Sequence, residues 1–157
     1  MPAINYTDVY GDPATVPVPL TKSSKHGGRV RHHWSTLTLA SAALDAGAQI
    51  FIGRFPANAV LKTSSTIHHE DFTTATDWNV GGTENGNDLA DAVNLAAAGM
   101  TALLADVAPA DMGKELWQLL GLAANPGGTL ELVATCVIAS THAGNKTISF
   151  EIDYVVD

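Results

Sequence analysis

Along residues 30–39, Val30, His32, Trp34, Thr36 and Thr38 alternate with Arg31, His33, Ser35, Leu37 and Leu39. A period of two puts neighbouring side chains on opposite faces, so this run predicts a β-strand. Ala46-Gly47 interrupts the pattern, residues 49–55 resume it, and Pro56 closes it. Ala59-Val60-Leu61, residues 64–69 and residues 73–80 are further β-prone stretches, the last closed by Gly81-Gly82. Residues 81–88 are turn formers almost throughout. After them Leu89, Val93, Ala96, Met100, Leu103 and Val107 recur three or four positions apart, which predicts a helix capped by Asn87 or Asp88 and weakened at Gly99. Pro109 can open a second short helix through Leu116, Leu119 and Leu120, ended by Gly121 and then Pro126-Gly127-Gly128. Alternation returns at the far end. Leu130, Leu132, Ala134, Cys136 and Ile138 share one face, and after a turn at His142–Asn145 so do Ile148, Phe150, Ile152, Tyr154 and Val156, with Glu151 and Asp153 opposite; the pair predicts a hairpin.

Six to eight short strands separated by turn signals and only one helical stretch predict an all-β protein, an antiparallel, jelly-roll-like β-sandwich with a short helical insertion around 87–122. Residues 1–28 stand apart. Pro2, Pro13, Pro17 and Pro19 deny ladder hydrogen bonds, and Gly11, Gly27 and Gly28 break the rest, so the segment is expected as an extended N-terminal arm ahead of a single domain at 29–157. A length of 157 residues suits one core.

Composition narrows the function. Charged residues make up 15% of the chain, against about 25% in an average soluble protein, and 24 Ala and 16 Thr predict a neutral surface suited to contact with neighbouring copies. The opening ten residues lack a basic segment followed by an apolar run, so no secretory leader is expected, and Cys136, the one cysteine, has no internal partner. No apolar stretch reaches the about 20 residues of a membrane span. The net charge of −8 is uneven: residues 1–62 carry six Lys and Arg against three acids, and residues 63–157 carry two against thirteen, leaving +3 and −11. A net acidic domain is a poor nucleic-acid ligand, because phosphate neutralisation by Lys and Arg dominates that affinity. The exception is the cluster Lys22, Lys25, Arg29 and Arg31, with no acid between Asp12 and Asp45; it is either a solvated loop or a docking segment for an acidic partner.

Catalytic patterns are missing. The doublets His32-His33 and His68-His69, the latter followed by Glu70-Asp71, carry metal-ligand chemistry, but a strand sends one imidazole of each doublet inward and the other outward. Three ligands would have to come from separate strands, so half-buried, hydrogen-bonded histidines and no bound metal or cofactor are expected. No Gly-x-Ser-x-Gly elbow occurs, and Cys136 sits mid-strand as a small buried apolar group. Residues 143–147, AGNKT, lack the first glycine of a phosphate loop and read as a hairpin turn. Trp34, Trp78 and Trp117 fall on three different elements, which argues for packing rather than an aromatic platform.

From residue 25 onward, the runs GRVR at 28–31, DAGAQI at 45–50, GRFPANAVL at 53–61, WNVG at 78–81, GKELWQLLGL at 113–122, NPG at 125–127 and YVVD at 154–157 resemble small virion structural proteins of tailed bacteriophages. The resemblance implies a non-enzymatic β-sandwich that oligomerises on the outside of the head as a capsid decoration or cement protein. Its implied partners are the major capsid protein and further copies of itself, as a homotrimer, with neither nucleic acid nor membrane. On that reading Lys22, Lys25, Arg29 and Arg31 are the candidate capsid-binding residues. The alternative from another class is a receptor- or glycan-binding module of a head fibre, spike or tail component, which would need an aromatic platform or an acidic groove.

Overall fold

The computed structural model of the protein describes residues 29–40, 43–72, 77–83 and 88–156. Among the described residues eleven strands follow one another as β1 (Val30–Leu39), β2 (Ala43–Leu44), β3 (Gln49–Pro56), β4 (Val60–Leu61), β5 (Thr66–His69), β6 (Asp77–Gly82), β7 (Ala90–Asn94), β8 (Gly99–Ala102), β9 (Thr129–Cys136), β10 (Ser140–Thr141) and β11 (Lys146–Val155). Between β8 and β9 lie a 3-10 turn at Pro109–Asp111 and a single helical turn, α1 (Leu116–Leu119). The larger sheet has the order β1-β11-β5-β8, with β4 also pairing β11; the smaller has the order β3-β9-β6-β7, and β2 with β10 forms a separate short ladder. Every pairing is antiparallel. The expected all-β sandwich is therefore the architecture observed. The expected arm at 1–28 lies outside the described residues.

Burial follows the period of two. On β11 Ile148, Phe150 and Ile152 face inward, and on β9 Leu132, Ala134 and Cys136 do the same. Ile50, Ile52, Phe55, Trp78, Val80 and Ile67 complete a continuous core between the sheets. The Phe55 ring bridges them: it meets His33 at 5.0 Å and Tyr154 at 5.5 Å, both edge to face. The His33 side chain of β1 reaches across to Gly53 of β3, so that a Cβ there would lie 3.0 Å from His33 Nε2. The missing side chain is what lets His33 reach the carbonyl oxygen of Ile52 at 3.2 Å.

Two expectations fail. The helix expected from Asn87 or Asp88 through Val107 is absent: β7 and β8 occupy that stretch, and helical structure in the 87–122 region is confined to the 3-10 turn and α1. Leu89, Val93, Leu103 and Val107 are buried as the pattern required, but Met100 is exposed. Two short strands joined by a bend generate a spacing that mimics a helical face. Asn94 Oδ1 accepts the Ala96 N–H at 2.8 Å and starts the bend, and β8 begins at Gly99. Pairing with β6 and β5 then outweighs the helix propensity of the alanine run. Asp88, rather than capping a helix, accepts the Gly82 N–H at 3.4 Å. Asn87 lies outside the described residues. The second expected helix shrinks to α1, where the Glu115 N–H donates to Gln118 Oε1 at 3.0 Å and Gly121, at φ 69°, stops it.

The second failure is the hairpin at the far end. β9 is paired by β3 and β6, whereas β11 is paired by β1, β4 and β5, so the two strands belong to different sheets. The connection crosses the sandwich through β10, which pairs β2. Alternation assigned each strand's buried face correctly up to Cys136, with Ile138 beyond the end of β9 and exposed, but it carries no information about which strand lies alongside.

Candidate functional site

The register of the larger sheet brings four strands' outward residues into rows. His32 stands opposite Asp153; Trp34 opposite Glu151, Thr66 and Ala102; Thr36 opposite Ser149, His68 and Met100. Each of these residues has the outward parity, while the alternate set (His33, Ser35, Phe150, Ile67) turns toward the core. Trp34, 54% exposed, is therefore central on this face, with an imidazole on either side.

Polar contacts fix the groups around it. The Trp34 Nε1–H donates to Thr36 Oγ1 at 2.8 Å, and Thr36 Oγ1 lies 2.9 Å from Ser149 Oγ. His32 Nδ1 is 2.8 Å from Asp153 Oδ1; an ionised carboxylate only accepts, so Nδ1 carries the proton. The Ser64 hydroxyl donates to the other oxygen of Asp153 at 2.6 Å. That hydrogen bond, with His32 behind it, holds the Asp153 carboxyl below its usual range against a smaller opposing effect of burial. His68 Nε2 lies 3.0 Å from Thr66 Oγ1 and 3.4 Å from Glu151 Oε2. The rings form a row, His32 to Trp34 6.4 Å and Trp34 to His68 5.9 Å between centroids, with planes tilted by 36° and 30°. An exposed indole flanked by imidazoles, carboxylates and hydroxyls can stack on an apolar surface and exchange hydrogen bonds with hydroxyl groups at the same time.

Sequence reasoning placed the three tryptophans on separate elements, and they are: Trp78 is buried in the core, and the Trp117 Nε1–H donates to Glu115 Oε2 at 2.7 Å. What it missed is the company Trp34 keeps, which depends on β11 lying between β1 and β5. The usable signal was that Glu151 and Asp153 had already been assigned to the outward face.

Both histidine doublets split as a strand requires. His32 and His68 face outward; His33 turns in, and His69 is buried with Nδ1 3.3 Å from the Glu70 carbonyl oxygen. Among the described residues no group of three or more His, Cys, Asp and Glu is placed to hold a metal ion. Cys136 is buried, its Sγ 3.1 Å from the Ile138 carbonyl oxygen. Of the basic cluster, Lys22 and Lys25 lie outside the described residues. Arg29 and Arg31 are exposed at the start of β1, where Arg31 pairs Tyr154.

Burial lowers the His69 pKa from its ordinary 6.5, with His68 adding to the shift and the Glu70 carbonyl opposing it. The native state thus holds this imidazole neutral, and as pH falls below 6.5 the unfolded chain takes up a proton that the folded chain resists. Stability is expected to decline from pH 6.5 downward until the folded pKa is passed. His69→Gln should flatten that part of the profile. Asp153 acts in a lower window: its folded pKa lies below 3.8, so its contribution is present above that value and lost as pH falls through the folded pKa. The difference between thermal melts of wild type and His69→Gln from pH 4.5 to pH 7.5 isolates the His69 effect; parallel curves would show that other groups, Asp88 among them, set the slope.

Two concavities flank the sandwich. One of about 320 Å³ opens between β1 and β3, the edge strands of the two sheets among the described residues, lined by Ser35, Leu37, Ile50, Phe51 and Phe150 among others. The other, of about 340 Å³, lies between Gly82, Asp88, Leu120 and Leu130, and burial raises the Asp88 pKa there. No helix among the described residues is long and apolar enough to cross a membrane.

No protein-family model and no curated protein matches the sequence. Solved structures that share the fold include a chain of the cyanophage Pam1 capsid asymmetric unit, 16% identical over the whole of both chains with a TM-score of 0.57. A chain of the capsid of Ralstonia phage GP4 is 22% identical over 91% of each chain, with a TM-score of 0.60. At these identities the likeness is one of fold.

Proposed function

We propose that the chain is a non-enzymatic structural protein of a phage virion, a decoration or cement protein that binds the outer surface of the major-capsid-protein shell and stabilises the head. The observation that carries this reading is the shared fold with chains of two phage capsids, over the whole chain in one case and nine-tenths of it in the other. The sequence runs that resemble small phage virion proteins point the same way. Such a protein performs no reaction. It acts by multiplying contacts, so that several individually weak attachments hold through avidity.

Attachment is assigned to residues 1–31, with Lys22, Lys25, Arg29 and Arg31 facing acidic shell surface and the sandwich projecting outward. Arg29 and Arg31 are exposed at the point where the chain enters β1, so a preceding segment would leave from that end of the larger sheet. Turning the +3 portion of the chain toward the shell also keeps it from the −11 portion of neighbouring copies. A homotrimer fits this role, since a closed ring of equivalent contacts matches a three-fold position of a shell.

Deleting residues 1–24 is expected to leave the sandwich folded and to abolish binding to capsids stripped of the protein. Reversing Lys25, Arg29 and Arg31 to Glu should weaken binding most at low ionic strength, where charges are least screened. Co-sedimentation with stripped capsids reads both. Undiminished decoration by the truncated protein would move attachment to the sandwich, and failure of the full-length protein to bind any capsid would overturn the reading itself.

A further inference from the structure

The row of rings on the larger sheet is not needed for attachment through residues 1–31. We propose that this outward face, centred on Trp34, is a carbohydrate-binding site that takes a neutral sugar, its C–H face against the indole and its hydroxyls against Glu151, Asp153, His32 and His68.

Two observations select that ligand. The indole N–H is already committed to Thr36, so Trp34 offers carbon surface to solvent rather than a donor. An alternating edge of C–H groups and hydroxyls is the complement of such a surface ringed by carboxylates and imidazoles. The groups that would meet the hydroxyls are held in place before any ligand arrives: Asp153 by Ser64 and His32, His68 by Thr66 and Glu151. Preorganisation of this kind reduces the ordering cost of binding.

Charge excludes the other candidates. No Lys or Arg falls at an outward position of β1, β11, β5 or β8. Lys62, one residue beyond β4, stands in register with Asp153, its backbone N–H donating to the Asp153 carbonyl oxygen at 2.8 Å. Against that cation Glu151 and Asp153 leave the face net acidic, so phosphates, sulfates and acidic sugars are disfavoured. A second copy docking symmetrically on this face would set the two carboxylates against their own counterparts and strip their water, and charged residues are depleted from the cores of protein interfaces. The face is an open sheet rather than a deep pocket, so single-site affinity is low and effective binding comes from many copies displayed together.

The test is a printed array of neutral and sialylated glycans probed with the full-length protein presented multivalently, alongside Trp34→Ala, Trp34→Phe and Glu151→Gln. Thermal melting confirms that each variant folds. Neutral glycans are expected to be retained by the wild type, with apparent affinity lowered about tenfold or more by Trp34→Ala, partly by Glu151→Gln, and largely restored by Trp34→Phe. Co-sedimentation of Trp34→Ala with stripped capsids should be unchanged. The proposal is overturned if no glycan is held above the Trp34→Ala background, or if only sialylated glycans are. It is equally overturned if Trp34→Ala releases the protein from capsids or dissociates its oligomer, which would make the face a protein contact. The array requires no capsid, so its result is independent of the decoration reading.

Discussion

Replacing Phe150 by alanine is expected to cost about 3–5 kcal/mol of folding stability and to lower the melting midpoint by roughly 6–20 °C. Phe150 is 2% exposed and lies on β11, the strand that joins β1 to β5. It also floors the cleft beside β1 and β3, so the space left by its ring would connect with that cleft and wet a part of the core near Ile67. A melting midpoint within a few degrees of wild type would mean that the cleft can close over the gap and that the ring contributes little packing.

Trp78→Ala is the second large effect, again about 3–5 kcal/mol, and here the comparison with Trp78→Phe is more informative than the loss itself. Trp78 is 1% exposed, and its Nε1–H has no hydrogen-bond partner among the described residues. An unmade bond of that kind costs about 1–3 kcal/mol. Phenylalanine keeps most of the packing against the β7 and β9 neighbours of Trp78 and removes the orphaned donor, so the two changes oppose one another. Trp78→Phe is expected to fall within about 1 kcal/mol of wild type in denaturant unfolding. A loss near that of Trp78→Ala would show that the indole N–H is satisfied by buried water.

These core residues were legible in the sequence because a period of two reports which side of a strand is buried. Leu132, Cys136, Phe150 and Ile152 follow from it directly. Partnership was not legible. Nothing in residues 130–156 distinguishes a hairpin from two strands in opposite sheets, because alternation looks the same in both and the connection is long enough to cross between them. The stretch after Leu89 misled for a related reason: when two strands meet at a bend, the change of phase leaves buried positions three or four apart, which is the signature of a helix. The Trp34 face was hidden by the same gap. His32, His68, Glu151 and Asp153 were each readable as outward, but only the strand order sets them around one indole. Arg29 and Arg31, by contrast, stand out by charge alone, and their exposure needed no knowledge of topology.

The pairing of His32 with Asp153 joins residues 121 positions apart. A ribosome adding about 5–20 residues per second needs roughly 6–24 s to pass from one to the other. Through the later part of that interval, from His69 to the start of β11 at Lys146, β1, β4 and β5 have been made but the strand that binds all three has not, so the larger sheet cannot close on a nascent chain. The interval leaves Val60, Leu61 and Ile67, all buried in the finished fold, open to aggregation or chaperone capture, which makes translation speed through this stretch a determinant of yield. It also sets timing: neither the Trp34 face nor the mouth of the β1–β3 cleft exists until β11 has left the ribosome.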